Sequence, residues 1–292
     1  VDHWEWYGLI SDDELHETLA SAEIIVSNKV MLTSEHLAKA ENLKLICVAA
    51  TGTNNIDLDA AAGRDIPVCN VHGYATASVV QHVFTLLLAL TTRFNEVTSA
   101  VKQGEWSRSR FFCLLDYPVR ELAGKTIGII GYGDLGKAVA HVAEAFGMEV
   151  LLAKRNRNDD RPGRIALAEL LPRVDVLSLH CPLTKETQGL IGADELALMK
   201  QDAVLINAAR GGLVDEAALV DAIVQEKLGG AAVDVIETEP PPEHYPLLEV
   251  SLPNLIVTPH VAWASRESRQ RLLDEIALNI EAFKAGQIRN RA

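Results

Sequence analysis

Three ionisable residues in the second half of the chain have side chains that can bind a carboxylic acid and exchange a proton with it. Arg210, Glu239 and His260 each follow a short apolar run that is predicted to be a strand. A guanidinium can hold a carboxylate at two points, an imidazole can exchange a proton near neutral pH, and a carboxylate can orient that imidazole and favour its protonated form. Each residue also has a plainer explanation: Arg210 as an exposed ion-pair residue, His260 as a turn histidine, and Glu239 as part of an acidic, proline-rich loop.

A second pattern is the series Gly131, Gly133 and Gly136, which stands between a β-branched apolar run and a segment with helical spacing. A strand that turns this tightly into a helix lets the backbone approach a pyrophosphate, and the amide end of the helix points at it. Glu149–Ala153 is predicted to be the next strand, so this stretch predicts a right-handed βαβ unit that binds a dinucleotide. Beside a dinucleotide, the three ionisable residues predict a hydroxy-acid oxidoreductase.

The end of that next strand departs from the usual dinucleotide pattern. An acidic residue that holds the adenosine ribose is expected about 20 residues after the glycines, where this chain has Lys154 and Arg155. Two cations suit a ribose that carries a phosphate, because together they neutralise a dianion. NADP is therefore favoured over NAD. The alternative is a solvated charge cluster, since more charged residues crowd the same loop: Arg157, Asp159, Asp160 and Arg161.

Strands and helices alternate along the chain, which predicts an α/β fold. Continuous apolar runs bounded by turn residues are typical of strands that helices cover on both faces, and such strands form a doubly wound parallel sheet with its ligands at the carboxyl ends. Ser11 and Glu14 predict a capping box before a short helix. The predicted strands are Ile24–Val26, Leu43–Ala50, Ile66–Val71, Thr126–Ile130, Glu149–Ala153, Val174–Leu179, Ala203–Asn207, Gly230–Val235 and Leu255–Thr258.

Two further helices are expected to link the parts of the fold. Ala77–Leu90 is apolar on nearly every face, so we expect a second domain or a second subunit to cover what one sheet leaves exposed. Ser265–Lys284 has apolar residues at helical spacing and stops before Gly286, and we expect it to return to the first domain.

Composition narrows the function classes. A chain of 292 residues with 48 % hydrophobic residues can bury two domains, and its net charge of −13 argues against a nucleic-acid partner. The four cysteines are scattered, which predicts reduced thiols in the cytoplasm and neither a metal site nor a redox pair. No signal peptide or membrane span is expected. Because the chain opens on Val1 and reaches its first strand-like run only at Ile24, we expect a further segment before it.

The ordered motifs resemble those of the D-isomer-specific 2-hydroxyacid dehydrogenases. The resemblance implies a Rossmann-type cofactor domain inserted into a smaller flavodoxin-like substrate domain, and a homodimer. We place the substrate domain at 1–76 and 265–292, and the dinucleotide-binding domain with its interdomain helix at 77–264. The motifs are Gly131–Gly136, His180–Thr184, Asn207–Glu216, Ala232–Val235 followed by Glu239–Pro240, and Pro259–Ser265.

The resemblance also implies a role for individual residues. Arg210 corresponds to the residue that binds the substrate carboxylate and carbonyl, His260 to the acid-base residue, and Glu239 to its partner, for which Glu237 is a nearby competitor. The amides at Thr51 and Gly52 match the loop that holds the substrate carboxylate, and Asp234 matches the residue that holds the nicotinamide carboxamide. The cofactor-binding set is Thr76, Gly131, Gly133, Asp134, Leu135, Gly136, Lys154, Arg155, His180, Pro182, Ala208, Asp234, His260 and Ala262.

Within the family, Trp263 resembles the branch of glycerate dehydrogenases and of hydroxypyruvate or glyoxylate reductases. A large ring three residues after His260 can narrow the pocket toward acids of two or three carbons, although a packing role is equally consistent. The favoured function is reduction of a small 2-oxo acid with NADPH. The alternatives are a related dehydrogenase that acts on another 2-hydroxy acid and a cofactor-sensing binding protein, like the corepressor relatives of the family. A sensing protein has no need of a proton donor.

Overall fold

The structure is a computed structural model that describes residues 3–292. The expectation of a further segment before Val1 lies outside the described residues. The chain divides into two compact units. The first unit runs up to Tyr74 and resumes at Arg266–Ala292, and the second unit is Ala75–Ser265. Within residues 3–292 no single helix is long and apolar enough to cross a membrane, although one bent pair, Thr76–Thr91 with Phe94–Lys102, meets the length and composition criteria.

The first unit contains a parallel sheet of three strands in the order β1-β2-β3. Ser11 caps the first helix, and the predicted capping box with Glu14 is present. The loop after β2 carries Thr51 and Gly52. The elements are α1 (Asp12–Ser21), β1 (Ile24–Ser27), α2 (Ser34–Lys39), β2 (Leu45–Val48), α3 (Leu58–Ala62) and β3 (Val68–Cys69).

The second unit is a parallel sheet of seven strands in the order β10-β9-β8-β7-β4-β5-β6. Its elements are α4 (Thr76–Thr91), α5 (Phe94–Lys102), α6 (Glu105–Arg108), β4 (Thr126–Ile130), α7 (Asp134–Ala145), β5 (Glu149–Ala153), β6 (Arg164–Ile165), α8 (Leu167–Leu170), a short 3-10 turn (Leu171–Arg173), β7 (Val176–Leu179), α9 (Ala193–Leu198), β8 (Val204–Asn207), α10 (Glu216–Val224), β9 (Gly230–Val233), α11 (Pro246–Glu249) and β10 (Leu255–Val257). The order reverses beside β4, which is where a doubly wound sheet opens a crevice for its ligand.

Alternate residues of the central strands belong to two separate hydrophobic cores. In β8, Leu205 packs with α9 and α10 on one face, whereas Val204 and Ile206 pack with α4 and α7 on the other. Both faces of the sheet are therefore covered, as the continuous apolar runs predicted. The sheet is doubly wound and of the Rossmann type.

Helix α4 packs within the second unit. Its apolar residues pack against β4 and against Val139, Ala140 and Ala143 of α7, all within the second unit. Helix α7 supplies the apolar surface that the sheet alone does not provide, as cover by the second domain predicted, and cover by a second subunit stays a prediction. Ala77, Gln81 and Thr85 form the exposed stripe of α4.

The last helix, α12 (Arg266–Lys284), belongs to the first unit. It begins one residue later than expected and ends where the sequence predicts, two residues before Gly286. Asn279 of this helix is buried and donates to the carbonyl of Asn70, the residue after β3. The helix is thereby fixed to the sheet of its own unit.

Candidate active site

The glycine turn after β4 leaves room for a group at the start of α7. Gly131 has φ of 92°, and a Cβ there would lie 2.5 Å from the backbone of His180 and Cys181. A Cβ on Gly136 would lie 2.0 Å from the carbonyl oxygen of Gly131. In contrast, a Cβ on Gly133 would meet nothing within 4 Å, and no side chain caps the helix at this residue. The start of α7 therefore has no side-chain cap and has open space beside Gly133, which fits a pyrophosphate.

The loop after β5 holds the two cations predicted to contact a ribose phosphate. Asp159 is buried and accepts hydrogen bonds from the backbone N–H of Arg155 at 2.8 Å and from the guanidinium of Arg161 at 2.7 and 2.6 Å. These bonds hold the pKa of Asp159 well below its usual range. Asp159 is thus paired with Arg161, and within residues 3–292 the side chains of Lys154 and Arg155 have no ion-pair partner.

A third cation, which was not predicted, lies on the neighbouring strand. Arg164 of β6 places its guanidinium 4.8 Å from the ring centroid of Tyr132, which is part of the glycine turn. Strand β6 pairs with the end of β5, and the N–H of Lys154 donates to the carbonyl of Ile165. A two-residue strand inside a polar loop gives no periodicity, so the sequence did not indicate it.

His180 follows β7 and contributes a buried imidazole next to the glycine turn. Its Nε2 lies 2.9 Å from the hydroxyl of Ser178, and its Nδ1 is buried with no hydrogen-bond partner within residues 3–292. Although the residue as a whole is only half-buried, burial of the ring lowers the pKa of His180 to about 4. The imidazole is therefore neutral at pH 7.

Because of His180, we expect the free energy of unfolding to decrease as the pH falls below about 6.5. The unfolded chain takes up a proton on this imidazole near the ordinary histidine pKa of 6.5, whereas the folded protein does so near a pKa of about 4. Between those values the unfolded state binds more protons, so stability is lost as the pH falls. The loss between pH 7 and pH 5 is about 2 kcal/mol. Urea unfolding of His180→Asn should show a loss smaller by that amount, and equal losses would contradict the expectation.

Asp234 lies directly after β9 in a buried network that joins three segments. Its Oδ1 accepts from the Thr258 hydroxyl at 2.5 Å and the Val261 amide at 3.0 Å, and its Oδ2 accepts from the Ala262 amide at 2.8 Å. His82 of α4 places Nε2 3.3 Å from the same Oδ1. Burial acts to raise the pKa of Asp234, but the hydrogen bonds from His82, Thr258 and the two amides outweigh it and lower the pKa. The carboxylate is ionised and fixed in place.

His260 is held by its backbone and by one ring nitrogen. Its φ of 54° is unusual for a residue with a side chain, and its N–H donates to the carbonyl of Asp234 at 2.7 Å. Nδ1 lies 2.6 Å from Oε2 of Glu239, whose Oε1 accepts from the N–H of Ile236 at 3.1 Å. Of the two candidate carboxylates, Glu239 contacts the ring and Glu237 does not. Within residues 3–292 the Nε2 of His260 has no partner, so it is free to exchange a proton.

The turn that carries Arg210 abuts the segment before Glu239. Asn207, the last residue of β8, donates from Nδ2 to the carbonyl of Arg210 at 2.9 Å. A Cβ on the next residue, Gly211, would lie 1.8 Å from the carbonyl oxygen of Ile236 and 2.7 Å from the nitrogen of Glu237. The two turns therefore touch through their backbones, and the Arg210 side chain is exposed.

The remaining predicted residues fall in several places. In the first unit, the Thr51 hydroxyl donates to the carbonyl of Val71 at 2.8 Å, and the carbonyl of Thr51 accepts from Nδ2 of Asn70 at 2.7 Å, so this loop is fixed locally. Gly52 is half-buried beside it. In the second unit, Thr76 begins α4, Pro182 follows β7, Ala208 follows β8 and Ala262 is buried; Trp263 is half-buried.

A group of potential metal ligands that the sequence did not indicate lies in the first unit. Atoms of Asp12, His16 and His36 lie within 4.8 Å of one another. The backbone N–H of Thr33 donates to Nδ1 of His36, so Nε2 carries the proton and donates to Asp12 at 2.9 Å. The Lys39 ammonium lies 3.3 Å from Nε2 of His16, where it opposes a second cation. The group therefore acts as a polar link between α1 and α2.

The chain is similar to several known proteins. Residues 84–262 match the model of the NAD binding domain of the D-isomer specific 2-hydroxyacid dehydrogenases. A glycerate dehydrogenase of Methylorubrum extorquens is 46 % identical over 289 residues, which cover 99 % of this chain and 91 % of that protein.

Two solved structures are also similar. The NADPH-dependent glyoxylate/hydroxypyruvate reductase of Sinorhizobium meliloti, in complex with NADP and malonate, has a TM-score of 0.81 and 30 % identity, covering 97 % of this chain and 86 % of that one. D-Lactate dehydrogenase of Aquifex aeolicus, complexed with NAD and lactic acid, has a TM-score of 0.80 and 35 % identity, covering 93 % and 85 %. The two relatives hold different nicotinamide cofactors.

Proposed function

Because the chain belongs to the D-isomer-specific 2-hydroxyacid dehydrogenases, we propose that it interconverts glyoxylate or hydroxypyruvate with glycolate or D-glycerate. Membership of the family makes the chain an oxidoreductase of small 2-oxo and 2-hydroxy acids that uses a nicotinamide cofactor. The observation that carries the proposed chemistry is the 2.6 Å contact between His260 Nδ1 and Glu239, which leaves Nε2 free for the substrate oxygen.

Each residue of the proposed site has a separate task. When bound, the nicotinamide cofactor supplies the hydride for the keto carbon. His260 protonates the keto oxygen from Nε2, and Glu239 holds the ring and stabilises its cationic form. Arg210 binds the carboxylate and steadies the charge that grows on the oxygen. The amides at Thr51 and Gly52 bind the substrate carboxylate, and Asp234 binds the nicotinamide carboxamide.

A panel of 2-oxo acids tests the proposed substrate. Glyoxylate, hydroxypyruvate and pyruvate should each be offered with NADPH and with NADH, and we expect glyoxylate or hydroxypyruvate to give the highest kcat/KM. We assign this preference for small acids to Trp263, three residues after His260. Turnover of pyruvate alone would contradict the substrate proposal. Cofactor binding without turnover of any acid would favour the sensing protein instead.

We further propose that NADP is preferred to NAD, because Lys154 and Arg155 follow the strand next to the glycine turn and have no ion-pair partner among the described residues. Charge-assisted hydrogen bonds contribute about 1.5–3 kcal/mol each, so NADPH should be used roughly tenfold or more efficiently than NADH. Replacing Lys154 with Asp should reverse the order, because a carboxylate repels the phosphate and holds the ribose hydroxyls. Arg157→Gln, an exposed cation of the same loop, is the matched control. If the unaltered protein uses NADH as efficiently as NADPH or more so, the preferred cofactor is NAD and the proposal is wrong.

We also propose a cytoplasmic homodimer with no nucleic-acid or membrane partner. The cysteines Cys47, Cys69, Cys113 and Cys181 are all unpaired, which suits a reducing compartment. Three exposed apolar side chains of the second unit support self-association, since Phe111, Phe112 and Leu115 are 76 %, 91 % and 84 % exposed. Sedimentation should give twice the mass of the chain.

A further inference from the structure

The carboxylate of Glu216, at the start of α10, holds both ends of the loop that carries Glu239. Its Oε1 accepts from the backbone N–H of Glu237 at 2.7 Å, and its Oε2 accepts from the hydroxyl of Tyr245 at 2.5 Å. Burial and the hydrogen bond to Glu216 raise the pKa of Tyr245 to about 12, so the phenol remains a donor throughout the neutral range. The backbone of Thr238 also hydrogen-bonds this hydroxyl.

The loop between these two contacts is otherwise open to solvent. Residues 237–244 are exposed, and three consecutive prolines follow Glu239. Within the described residues, the Glu239 side chain makes two contacts, one with the N–H of Ile236 and one with His260. Ile236 directly precedes the amide that Glu216 binds. The position of the Glu239 carboxylate therefore depends on a backbone segment that Glu216 holds in place.

We propose that Glu216 is a positioning residue for proton transfer by His260, acting through the loop that carries Glu239. The inference rests on the proposed function, because it takes His260 as the proton donor. Removal of the Glu216 carboxylate leaves the N–H of Glu237 and the hydroxyl of Tyr245 without their acceptor. The loop then samples other conformations, Glu239 is in contact with His260 for less of the time, and the imidazole is less often aligned with the keto oxygen.

Three variants test the inference in the full-length protein. Glu216→Ala removes both contacts, whereas Glu216→Gln keeps an oxygen for the N–H of Glu237 and an amide group for Tyr245. Asp221→Asn is the matched control, because Asp221 is an exposed carboxylate on the same helix. The helix itself should persist in all three, since Asp215 caps it through the amide of Ala218 at 3.0 Å.

Two measurements should be made on each variant. Hydrogen exchange of residues 236–245 is expected to quicken at least tenfold in Glu216→Ala, and to stay within twofold of wild type in Asp221→Asn. With the best 2-oxo acid, kcat of Glu216→Ala should fall roughly tenfold while both KM values stay within about twofold, because alignment and not binding is lost. Glu216→Gln should recover most of the kcat. In the Glu239→Gln background, Glu216→Ala should have little further effect, since the two residues act in one path.

Each other outcome has a defined meaning. Unchanged exchange in Glu216→Ala would overturn the anchoring of the loop, and faster exchange with unchanged kcat would overturn the positioning role. A rise in KM with kcat intact would place Glu216 in binding and would also overturn the inference. If the wild-type protein turns over no 2-oxo acid, the proposed function fails, and the positioning role fails with it; the exchange measurement still decides whether Glu216 anchors the loop.

Discussion

Replacing His260 with alanine is expected to lower turnover of the best 2-oxo acid by about 100-fold or more, the scale of a lost general acid. Glu239 occupies Nδ1 of the ring at 2.6 Å, and Nε2 is the nitrogen left to exchange a proton. The glycine turn and Asp234 do not depend on the imidazole, so affinity for NADPH should be nearly unchanged. Steady-state kinetics and a fluorescence titration with NADPH measure the two quantities.

His244→Ala is the control for this experiment. His244 is an exposed histidine of the loop that carries Glu239. Its ring contacts Glu249 at 3.0 Å and does not contact the proposed site. Its removal should leave kcat within about twofold of wild type, as is usual for an exposed side chain away from the chemistry. Near-full activity of His260→Ala would show that this histidine is not the proton donor.

Replacing Arg210 with lysine is expected to raise KM for the 2-oxo acid and to lower kcat, each by roughly tenfold or more. Lysine keeps the charge but loses the planar fork that holds a carboxylate at two points and steadies the growing charge on the carbonyl oxygen. A charge-assisted contact contributes about 1.5–3 kcal/mol, which corresponds to that range.

The control for Arg210 is Arg173→Lys, an exposed arginine of the same unit that makes no side-chain contact within the described residues. It should behave as wild type. Unaltered kinetics of Arg210→Lys would show that the guanidinium has a structural role, in keeping with its hydrogen bond to the carbonyl of Ala209 at 2.7 Å.

Much of the second unit could be predicted because its local signals agree with the tertiary structure. Thr126–Ile130 and Glu149–Ala153 are strands with the bounds that the sequence indicates, since Gly131 and Gly147 mark the turns beside them. Other strands are shorter than predicted: Leu43–Ala50 contributes only β2 (Leu45–Val48) to the sheet, because each of these four residues pairs with one of β1. Apolar composition does not reveal where the partner strand stops.

Contacts between distant segments could not be predicted. His82 lies in an apolar helix, where a single histidine carries no signal, and its partner Asp234 is far away in the sequence. Glu216 looks like an ordinary acidic residue in the first turn of a helix, where a negative charge interacts favourably with the helix dipole. Asp159 could equally have been solvated, and only the fold of the loop places it against Arg161.

The sequence was enough to place the proposed catalytic residues at one edge of the sheet, but not to show which of them contact each other. Arg210, Glu239 and His260 follow adjacent strands, so the rule that ligands bind at the carboxyl ends of parallel strands was enough to group them. Glu237 and Glu239 are equivalent by that rule. Which of the two contacts His260 depends on the path of the turn after β9, where Gly211 packs against Ile236.

The most direct test of the account follows the hydride itself. The protein should be incubated with hydroxypyruvate and NADPH that carries two deuterium atoms at C4 of the nicotinamide, and the product should be analysed for configuration and for deuterium at C2. The account predicts D-glycerate with deuterium at C2, formed by wild type and at a rate at least about 100-fold lower by His260→Ala. L-Glycerate, or a product without deuterium, would contradict it.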